Sequence, residues 1–296
     1  MRRRQKIREL TNLQFALVLT LPVLVFLIIV IVYPLIYALW ASFHKIIFFG
    51  GYRTQYLGLE NYAQAIKSPA FWNSLKISLR FTAESVVLTL LIGLGVALTL
   101  ARSFPGKRLI RSLVILPWAV SRYGAGIMFK HLWKGYTGLP SALSFLVGFN
   151  TRIDLFGEKT VIEALAVGNA WNLAPLVAFF LLANIETIPE RLYDMAEVDK
   201  LGPFGRFYYV TLPYLRYTLF VFTAIVSVLS LKVFDYIFTQ TGGGPGVASA
   251  TLTYQIYKES FINLNLGYGA ALSFYLLALI LAVTFALYFV WGRREV

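Results

Sequence analysis

Polar side chains recur at helical spacing inside long apolar runs of this chain. Asn169 and Asn172 lie three residues apart in GNAWNLAP, and Ser227 and Ser230 have the same spacing, so each pair shares one face of a helix. Polar groups are costly inside a membrane, and they are therefore candidates for residues along a solute pathway. The alternatives are hydrogen bonds between helices for the asparagines and close helix packing for the serines.

Charged residues also fall within apolar runs. Arg122 lies near the centre of its run, where it either reads an acidic solute or pairs with Glu84 of the preceding run. Because buried charges usually have partners, pairing with Glu84 is the favoured prediction. Lys232 and Asp235 lie three residues apart, and they are predicted to neutralise each other near the end of their run.

The residue types needed for covalent chemistry are scarce. The chain has two His and no Cys, which argues against haem, zinc and iron–sulfur sites. No cluster of His, Cys or acidic residues lies at one membrane level, so no catalytic residue and no metal site is predicted. The nucleotide-binding pattern G-x-x-x-x-G-K-[ST] is absent. The segment TGGGPGVA, residues 241–248, lacks a following Lys-Ser or Lys-Thr and indicates a flexible turn.

The elements that must position these side chains are apolar helices. Of the 296 residues, 58% are hydrophobic and 14% are charged, whereas a soluble domain has about 25% charged residues. A spanning helix needs about 20 residues, and lipid offers the backbone no hydrogen bonds, so each long run is predicted to be helical. The runs are residues 15–40, 75–101, 113–133, 161–185, 215–238 and 270–291. The predicted fold class is all-α: a polytopic membrane protein with six transmembrane helices.

The net charge of +13 comes with basic residues that flank the apolar runs. That placement is typical of cytoplasmic loops and argues against a nucleic-acid-binding face. If the N-terminus is cytoplasmic, the inside segments hold about twice as many Lys and Arg residues as the outside loops. These inside segments are residues 2–8, 102–111, 191–216 and 293–294. Both termini are therefore predicted to be cytoplasmic, and the first run is too long for a signal peptide.

An acidic segment lies between the fourth and fifth runs, on the predicted cytoplasmic side. Asp194, Glu197 and Asp199 fall on a short helix whose other face is apolar, and LGP, residues 201–203, ends that helix. One interpretation is an amphipathic hairpin on the membrane surface, but such helices usually have a basic polar face. An acidic face beside apolar side chains is better suited to a cationic groove on another protein.

This segment resembles the coupling loop of permease subunits of ATP-binding-cassette (ABC) importers. The family pattern is Glu-Ala-Ala-x-x-x-Gly, followed by a spacer and Ile-x-Leu-Pro. Here it falls on Asp194, Met195 and Ala196 and on the ending VTLP, with Asp in place of Glu and Met in place of Ala. Lys200 occupies the glycine position and Gly202 follows two residues later, so the turn lies at Lys200 or is shifted toward Gly202.

The resemblance extends over nearly the whole chain. Further segments that carry it are residues 58–82, 115–133 and 241–261. The Gly-Gly-Gly-Pro sequence and YGAALS, residues 268–273, are similar to the first of two permeases in carbohydrate importers, the maltose, glycerol-phosphate and lactose branch. The resemblance implies the type I ABC-importer permease fold. Residues 1–70 would be a basic segment, the first transmembrane helix and an outer loop, and residues 71–296 a five-helix core with its coupling loop at about 187–213.

The resemblance also implies site residues. The coupling residues are Tyr193, Asp194, Met195, Ala196, Val198, Asp199, Lys200, Gly202 and Phe207. The Asn-x-Trp-x-x-x-Pro segment that lines the sugar site of maltose-type permeases carries over to Asn169, Trp171 and the adjacent Asn172. Amides and an indole ring suit a sugar because they offer hydrogen bonds and an apolar face. With Ser227, Ser230 and Arg122, these residues form the predicted substrate pathway.

The implied function is that of a permease subunit for a sugar or sugar-like solute in the inner membrane of a prokaryote. The implied partners are a second homologous permease, two ABC ATPase subunits, an extracytoplasmic solute-binding protein and membrane lipid, with no nucleic acid. The chain itself needs no cofactor, because ATP and Mg²⁺ bind to the partner ATPase. The alternatives are a permease for glycerol phosphate or an acidic saccharide, and an ATP-independent secondary transporter, although no inverted repeat is visible.

Overall fold

The structure is a computed structural model that describes residues 11–47, 53–135, 137–149 and 151–291. The basic segments 2–8 and 293–294, which are predicted to lie inside, fall outside the described residues. The helices are Asn12–Leu27, Tyr33–Ser42, Glu60–Lys67, Pro69–Ala101, Lys107–Val114, Leu116–Ala119, Arg122–Leu132, Leu139–Leu146, Val161–Ile185, Glu190–Val198, Pro203–Arg206, Leu212–Leu231, Asp235–Gln240, Leu252–Tyr257 and Leu266–Val290. Three π-helical stretches, Ile28–Val32, Phe207–Thr211 and Lys258–Ile262, continue helices that precede them.

Within the described residues, five helical segments are long and apolar enough to cross a membrane. They are Gln14–Ser42, Pro69–Ala101, Val161–Ile185, Pro203–Leu231 and Leu266–Val290, and we call them the first, second, fourth, fifth and sixth spans. The third span is a bent pair of helices, Lys107–Ala119 and Arg122–Leu132. The predicted six crossings are therefore present when the bent pair is taken as one span.

The third span is broken, so the prediction of one continuous helix over residues 113–133 is wrong. Its two halves are bent by 98° relative to each other. The first half ends at Ala119, and Val120 is extended, with ψ of 129°. Ser121 then caps the second half, because its hydroxyl accepts a hydrogen bond from the Gly124 N–H at 3.1 Å. The break is thus an extended residue followed by a helix cap.

The fifth span also departs from its predicted limits of residues 215–238. It runs over Pro203–Leu231 and includes the π-helical stretch Phe207–Thr211, so it begins inside the predicted coupling loop. Pro213 does not interrupt it, because that residue lies in the first turn after the stretch. The chain then forms a separate short helix, Asp235–Gln240. One helix therefore connects the coupling loop to the opposite end of the fold.

The fourth span is the centre of the packing. Of its most apolar stretch 72% is buried, against 0% for the first span. Its Val177 and Leu181 share one core cluster with Leu219 of the fifth span. Near its start, Gly168 admits a close neighbour, because a Cβ there would collide with the Tyr236 hydroxyl. In lipid such close packing, rather than the hydrophobic effect, holds helices together.

A small hairpin follows the first span. The strands His44–Ile47 and Arg53–Tyr56 pair antiparallel. The Asn61 amide donates a hydrogen bond to the Ser42 carbonyl at 2.8 Å, which ties the end of the first span to the next helix. The division of the chain at residue 70 stays a prediction.

Candidate functional site

An asparagine of the fourth span hydrogen-bonds to backbone carbonyls at the break in the third span. The Asn172 Nδ2 atom donates to the Pro117 carbonyl at 2.7 Å and to the Val120 carbonyl at 3.1 Å. The Asn172 side chain is buried. A broken helix inside a membrane is tolerated only where its freed carbonyls find donors, and Asn172 supplies one. Its amide therefore positions the residues that follow the break.

A chain of polar side chains starts at that break. Arg122, the first residue of the second half, is half-buried, and its Nη1 donates to the Asn169 Oδ1 at 3.4 Å. The Asn169 Nδ2 donates in turn to the Ser230 Oγ at 3.1 Å. Asn169 and Ser230 are 2% and 1% exposed, so both of these hydrogen bonds of Asn169 lie inside the protein. The chain links the third, fourth and fifth spans, and we call it the Arg122 relay.

The favoured pairing of Arg122 with Glu84 is wrong. The Glu84 carboxylate accepts a hydrogen bond from Arg80 Nε at 2.8 Å, one turn away on its own helix, and Arg80 also pairs with Glu163. The acidic residue that interacts electrostatically with Arg122 is Asp235. Arg122 thus makes no ion pair among the described residues, and its guanidinium keeps donor groups that the protein does not use.

The predicted pair of Lys232 and Asp235 is also wrong. The helix ends at Leu231, with Lys232 as its cap, and Asp235 starts the next short helix. No ion pair within the part of the chain that the structure describes joins the two residues. The end of the helix removes the i, i+3 geometry on which the prediction relied.

The other two predicted pathway residues have local contacts. The Ser227 hydroxyl donates to the Thr223 carbonyl of its own helix at 2.7 Å. Trp171 is half-buried, with its ring 5.4 Å from that of Phe129 in an edge-to-face arrangement. The hydrogen bonds of Asn169 and Asn172 are of the interhelical kind that the sequence left open as the alternative. The substrate-pathway role of the six residues stays a prediction.

The turn that follows the coupling helix, Glu190–Val198, is at Lys200 rather than at Gly202. Lys200 has φ of +55°, and Gly202 has φ of −68°. The Lys200 N–H donates to the Glu197 carbonyl and the Leu201 N–H donates to the Ala196 carbonyl, both at 2.9 Å. This is the paired hydrogen bonding of a Schellman cap, which usually places glycine in the left-handed position. The turn is therefore not shifted, and lysine adopts the conformation that the family's glycine favours.

The coupling helix has one attached face and one free face. Tyr193 and Ala196 pack with Ile188, Val210 and Leu201 in a small core. The opposite face presents Asp194, Met195 and Val198 to the outside, and Val198 is 81% exposed. An exposed apolar patch beside carboxylates is typical of a surface that meets another protein.

Side-chain contacts attach this loop to the fifth span. The Tyr193 hydroxyl hydrogen-bonds to the Thr211 hydroxyl at 3.0 Å. The Arg206 Nε donates to the Leu201 carbonyl at 3.0 Å, and its guanidinium lies 3.5 Å from the Glu197 carboxylate. The coupling helix and the turn after it are therefore bonded to the start of the fifth span.

The aromatic residues of the fifth span's first turns divide between surface and interior. Phe207, which the sequence placed among the coupling residues, is half-buried against a cleft of about 1000 Å³ behind the coupling helix. Phe204 is 79% exposed and stacks on Tyr208, with 6.4 Å between the rings. Phe204 is thus a further exposed apolar side chain near the coupling helix, and it is not among the residues that the sequence predicted for coupling. The helical offset of three residues between Phe204 and Phe207 does not show which ring points outward.

Replacing Lys200 by glycine should stabilise the coupling loop. A left-handed conformation costs a non-glycine residue about 1–2 kcal/mol, of which glycine's larger unfolded-state entropy cancels part. We expect the unfolding temperature of the purified chain to rise by about 2 °C. Gly202→Ala is the matched control: φ at Gly202 is negative and a Cβ there meets nothing within 4 Å, so no change is expected. A loss of stability in Gly202→Ala, with none gained in Lys200→Gly, would place the turn at Gly202 instead.

Comparison with known proteins shows relatives along the whole chain. No family model matches. The sulfoquinovosyl glycerol transport system permease protein of Agrobacterium fabrum is 30% identical over 276 residues, which cover 93% of this chain and 90% of the relative. The trehalose/maltose transport system permease protein of Thermococcus litoralis is 30% identical and covers 89% of each chain. The sn-glycerol-3-phosphate transport system permease protein of Agrobacterium fabrum is 31% identical and covers 79% of this chain and 80% of its own.

Solved structures show the same fold at lower identity. A chain of a bacterial ABC transporter that imports the acidic polysaccharide alginate aligns with a TM-score of 0.80 over 94% of this chain and 95% of its own, at 18% identity. A chain of an amino acid ABC transporter aligns with a TM-score of 0.54 over 78% of this chain and 97% of its own, at 16% identity. These likenesses are of fold alone, and they confirm the predicted helical membrane architecture.

Proposed function

Because this chain belongs to the family of permease subunits of ABC importers for sugars and sugar-like solutes, with the type I fold, we propose that it works inside a divided transport complex. The partners are a second homologous permease, two ABC ATPase subunits and an extracytoplasmic solute-binding protein. Both termini and the coupling helix face the cytoplasm. The ATPase subunits bind ATP and Mg²⁺, and this chain moves the solute without covalent chemistry.

The observation that carries the proposal is the two-sided coupling helix. Its free face, with Asp194, Val198 and the neighbouring Phe204, is suited to a cleft on a cytoplasmic ATPase subunit. Its attached face is bonded through Tyr193 to Thr211 at the start of the fifth span. When an ATPase subunit binds the free face and moves, it therefore displaces a membrane helix and not only a surface loop.

The fifth span carries this motion to the polar centre of the fold. It is one helix from Pro203 to Leu231, and Ser230 in its last turn accepts the hydrogen bond from Asn169. Through Asn169 the motion reaches Arg122 at the break in the third span. Closure of the ATPase subunits thus rocks the fifth span and rearranges the Arg122 relay, which opens the solute cavity alternately to each side of the membrane.

The side chains at the Arg122 relay and beside it, together with the relatives, indicate two candidate classes of solute. Trp171 is half-buried and supplies a ring that suits the apolar face of a sugar, and the relatives include a transport system for trehalose and maltose. An acidic solute is the second candidate, because Arg122 is half-buried without an ion-pair partner among the described residues. The relative named for sn-glycerol-3-phosphate agrees with that candidate.

Arg122→Gln separates the two candidates. If the solute is acidic, removing the guanidinium should lower its uptake about fivefold, since a charge-assisted hydrogen bond contributes about 1 kcal/mol or more. Uptake of a neutral disaccharide should be unchanged. Arg111→Gln, which removes an arginine of the same span that pairs with Glu186 instead of belonging to the Arg122 relay, is the control. Equal loss of acidic and neutral uptake in Arg122→Gln would assign Arg122 a structural role.

The proposed assembly is tested by purification from detergent-solubilised native membranes with a tag on this chain. A homologous permease and an ABC ATPase should co-purify in stoichiometric amounts. Recovery of the chain without an ATPase, under conditions where the chain stays folded, would contradict the proposal.

A further inference from the structure

A second pocket, distinct from the cleft behind the coupling helix, lies at the far end of the third span. Its volume is about 360 Å³, within the range of about 300–1000 Å³ that small-molecule sites occupy. Lys130, His131 and Lys134 line it, together with the rings of Phe156 and Pro245. We call it the outer basic pocket, because the proposed orientation places it on the extracytoplasmic side. None of the sequence-predicted site residues belongs to it.

The pocket is also lined by a buried polar side chain, Gln240. Its side chain lines the pocket and is 2% exposed, yet neither its Nε2 nor its Oε1 has a hydrogen-bond partner. The Tyr236 hydroxyl lies near the amide, but no hydrogen bond of normal geometry joins them, and that hydroxyl also lacks a partner. An unpaired buried amide costs about 1–3 kcal/mol, so such a group is typical of a site that a ligand completes.

The basic residues lack acidic partners. Lys130, His131 and Lys134 take part in none of the ion pairs found among the described residues. No acidic residue is among the described residues that line the pocket. Lys130 and His131 lie in the last turn of their helix, where positive charge is favourable, but that position explains neither Lys134 nor the unpaired amide of Gln240.

The wall beside Gln240 belongs to the predicted turn over residues 241–248, which its own hydrogen bonds hold, and the flexibility of that turn stays a prediction. The Thr241 and Ser249 hydroxyls bond to each other at 2.7 Å, and the Ser249 hydroxyl donates to the Gly244 carbonyl at 2.6 Å. Gly243 has φ of +81°, and a Cβ there would collide with the Tyr254 ring. Glycine is therefore required at Gly243, and the loop holds Pro245 against the pocket.

We infer that the outer basic pocket binds an anionic sugar of monosaccharide size. The cations bind the carboxylate, sulfonate or phosphate, and the Gln240 amide offers one donor group and one acceptor to a ring hydroxyl. The Phe156 and Pro245 rings supply the apolar surface that suits the C–H face of a sugar. The pocket would receive the acidic solute outside the membrane before it reaches Arg122. That place in the import path rests on the proposed function, but binding to the pocket does not.

Equilibrium binding of radiolabelled glucuronate to the full chain in nanodiscs of zwitterionic lipid tests this inference. Saturable binding is expected, with glucose, which has the same ring without the charge, at least tenfold weaker. Gln240→Leu should weaken glucuronate binding at least tenfold, and Lys134→Met should weaken it as well. Lys159→Met, which removes an exposed lysine outside the pocket, should leave it unchanged.

A stability measurement distinguishes a ligand site from a structural role for Gln240. Because the amide is buried without a partner, Gln240→Leu should raise the unfolding temperature of the ligand-free chain while it weakens binding. A fall in unfolding temperature would mean that the amide is structural.

Three results would overturn the inference. They are no saturable binding of glucuronate, binding that Gln240→Leu leaves unchanged, and binding that anionic lipid in the nanodisc abolishes, which would assign the basic residues to lipid headgroups. The assay needs no partner subunit. A failure here therefore leaves co-purification of the ATPase as a separate test of the proposed function.

Discussion

Asp194→Lys is expected to abolish ATP-driven uptake while the chain still inserts and folds. Asp194 is exposed on the free face of the coupling helix, beside Met195 and Val198, and it makes no ion pair among the described residues. Its reversal therefore costs the isolated chain little. In a cationic groove a like charge costs several kcal/mol, and each 1.4 kcal/mol is tenfold in affinity. We expect the ATPase subunit to bind about a hundredfold more weakly, measured by co-purification and by uptake in proteoliposomes.

Glu158→Lys is the matched control for this reversal. Glu158 is also an exposed carboxylate, but it lies before the fourth span, on the other side of the membrane in the proposed orientation. Its reversal makes the same change in net charge and should leave ATPase binding intact. Normal uptake by Asp194→Lys would remove the docking role of the free face.

Asn172→Leu is expected to lower uptake about tenfold and to reduce thermal stability, with ATPase binding retained. The substitution takes the shared donor away from the Pro117 and Val120 carbonyls. Inside a membrane the cost of such a lost bond averages about 0.6 kcal/mol and reaches about 1.7 kcal/mol, and two acceptors at a helix break place this site at the upper end. The larger effect on uptake arises because the break fixes the direction of Arg122 and its bond to Asn169.

Asn184→Leu separates the helix break from hydrogen bonding between spans in general. The Asn184 amide donates to the Thr218 hydroxyl at 2.5 Å, between the same fourth span and the fifth span. It touches neither the break nor the Arg122 relay. We expect a similar loss of stability in this variant, with uptake reduced no more than twofold. If both variants lose uptake equally, the break has no special role in the solute path.

The apolar runs could be predicted because the length of a spanning helix is a local property of the sequence. The fourth span over Val161–Ile185 matches its predicted limits. The fifth span was placed too late, because residues 187–213 were all assigned to the coupling loop. Proline in a helix's first turn costs no hydrogen bond, so VTLP does not end a helix here.

The break in the third span had a signal in the sequence that was not used. Ser121, a residue type that favours helix N-caps, lies immediately before the second half, Arg122–Leu132. The contacts of Arg122 had no such signal, because Asn169 lies 47 residues away and Asp235 much farther. Glu84 was preferred as partner only because of its charge, and Arg80, one helical turn away, already holds it.

In the coupling loop the helix could be predicted from the sequence, but the turn that follows it could not. Its amphipathic pattern predicted a helix with a free face, and the structure has that helix over Glu190–Val198. The position of the turn could not be predicted from the sequence. Lys200 lies where the family pattern has glycine, whereas the glycine of this chain, Gly202, lies two residues later. The cap hydrogen bonds that the Lys200 and Leu201 N–H groups donate show that the turn is at Lys200, the position of the family's glycine.

ATP-dependent uptake by the reconstituted complex tests the central claim most directly. This chain is co-purified with its partners, placed in proteoliposomes with the binding protein, and supplied with labelled sugar in the presence or absence of ATP. The account predicts uptake only with ATP, and loss of uptake when Asp194→Lys replaces the native chain. Solute movement by this chain alone, without ATP or an ATPase, would contradict it.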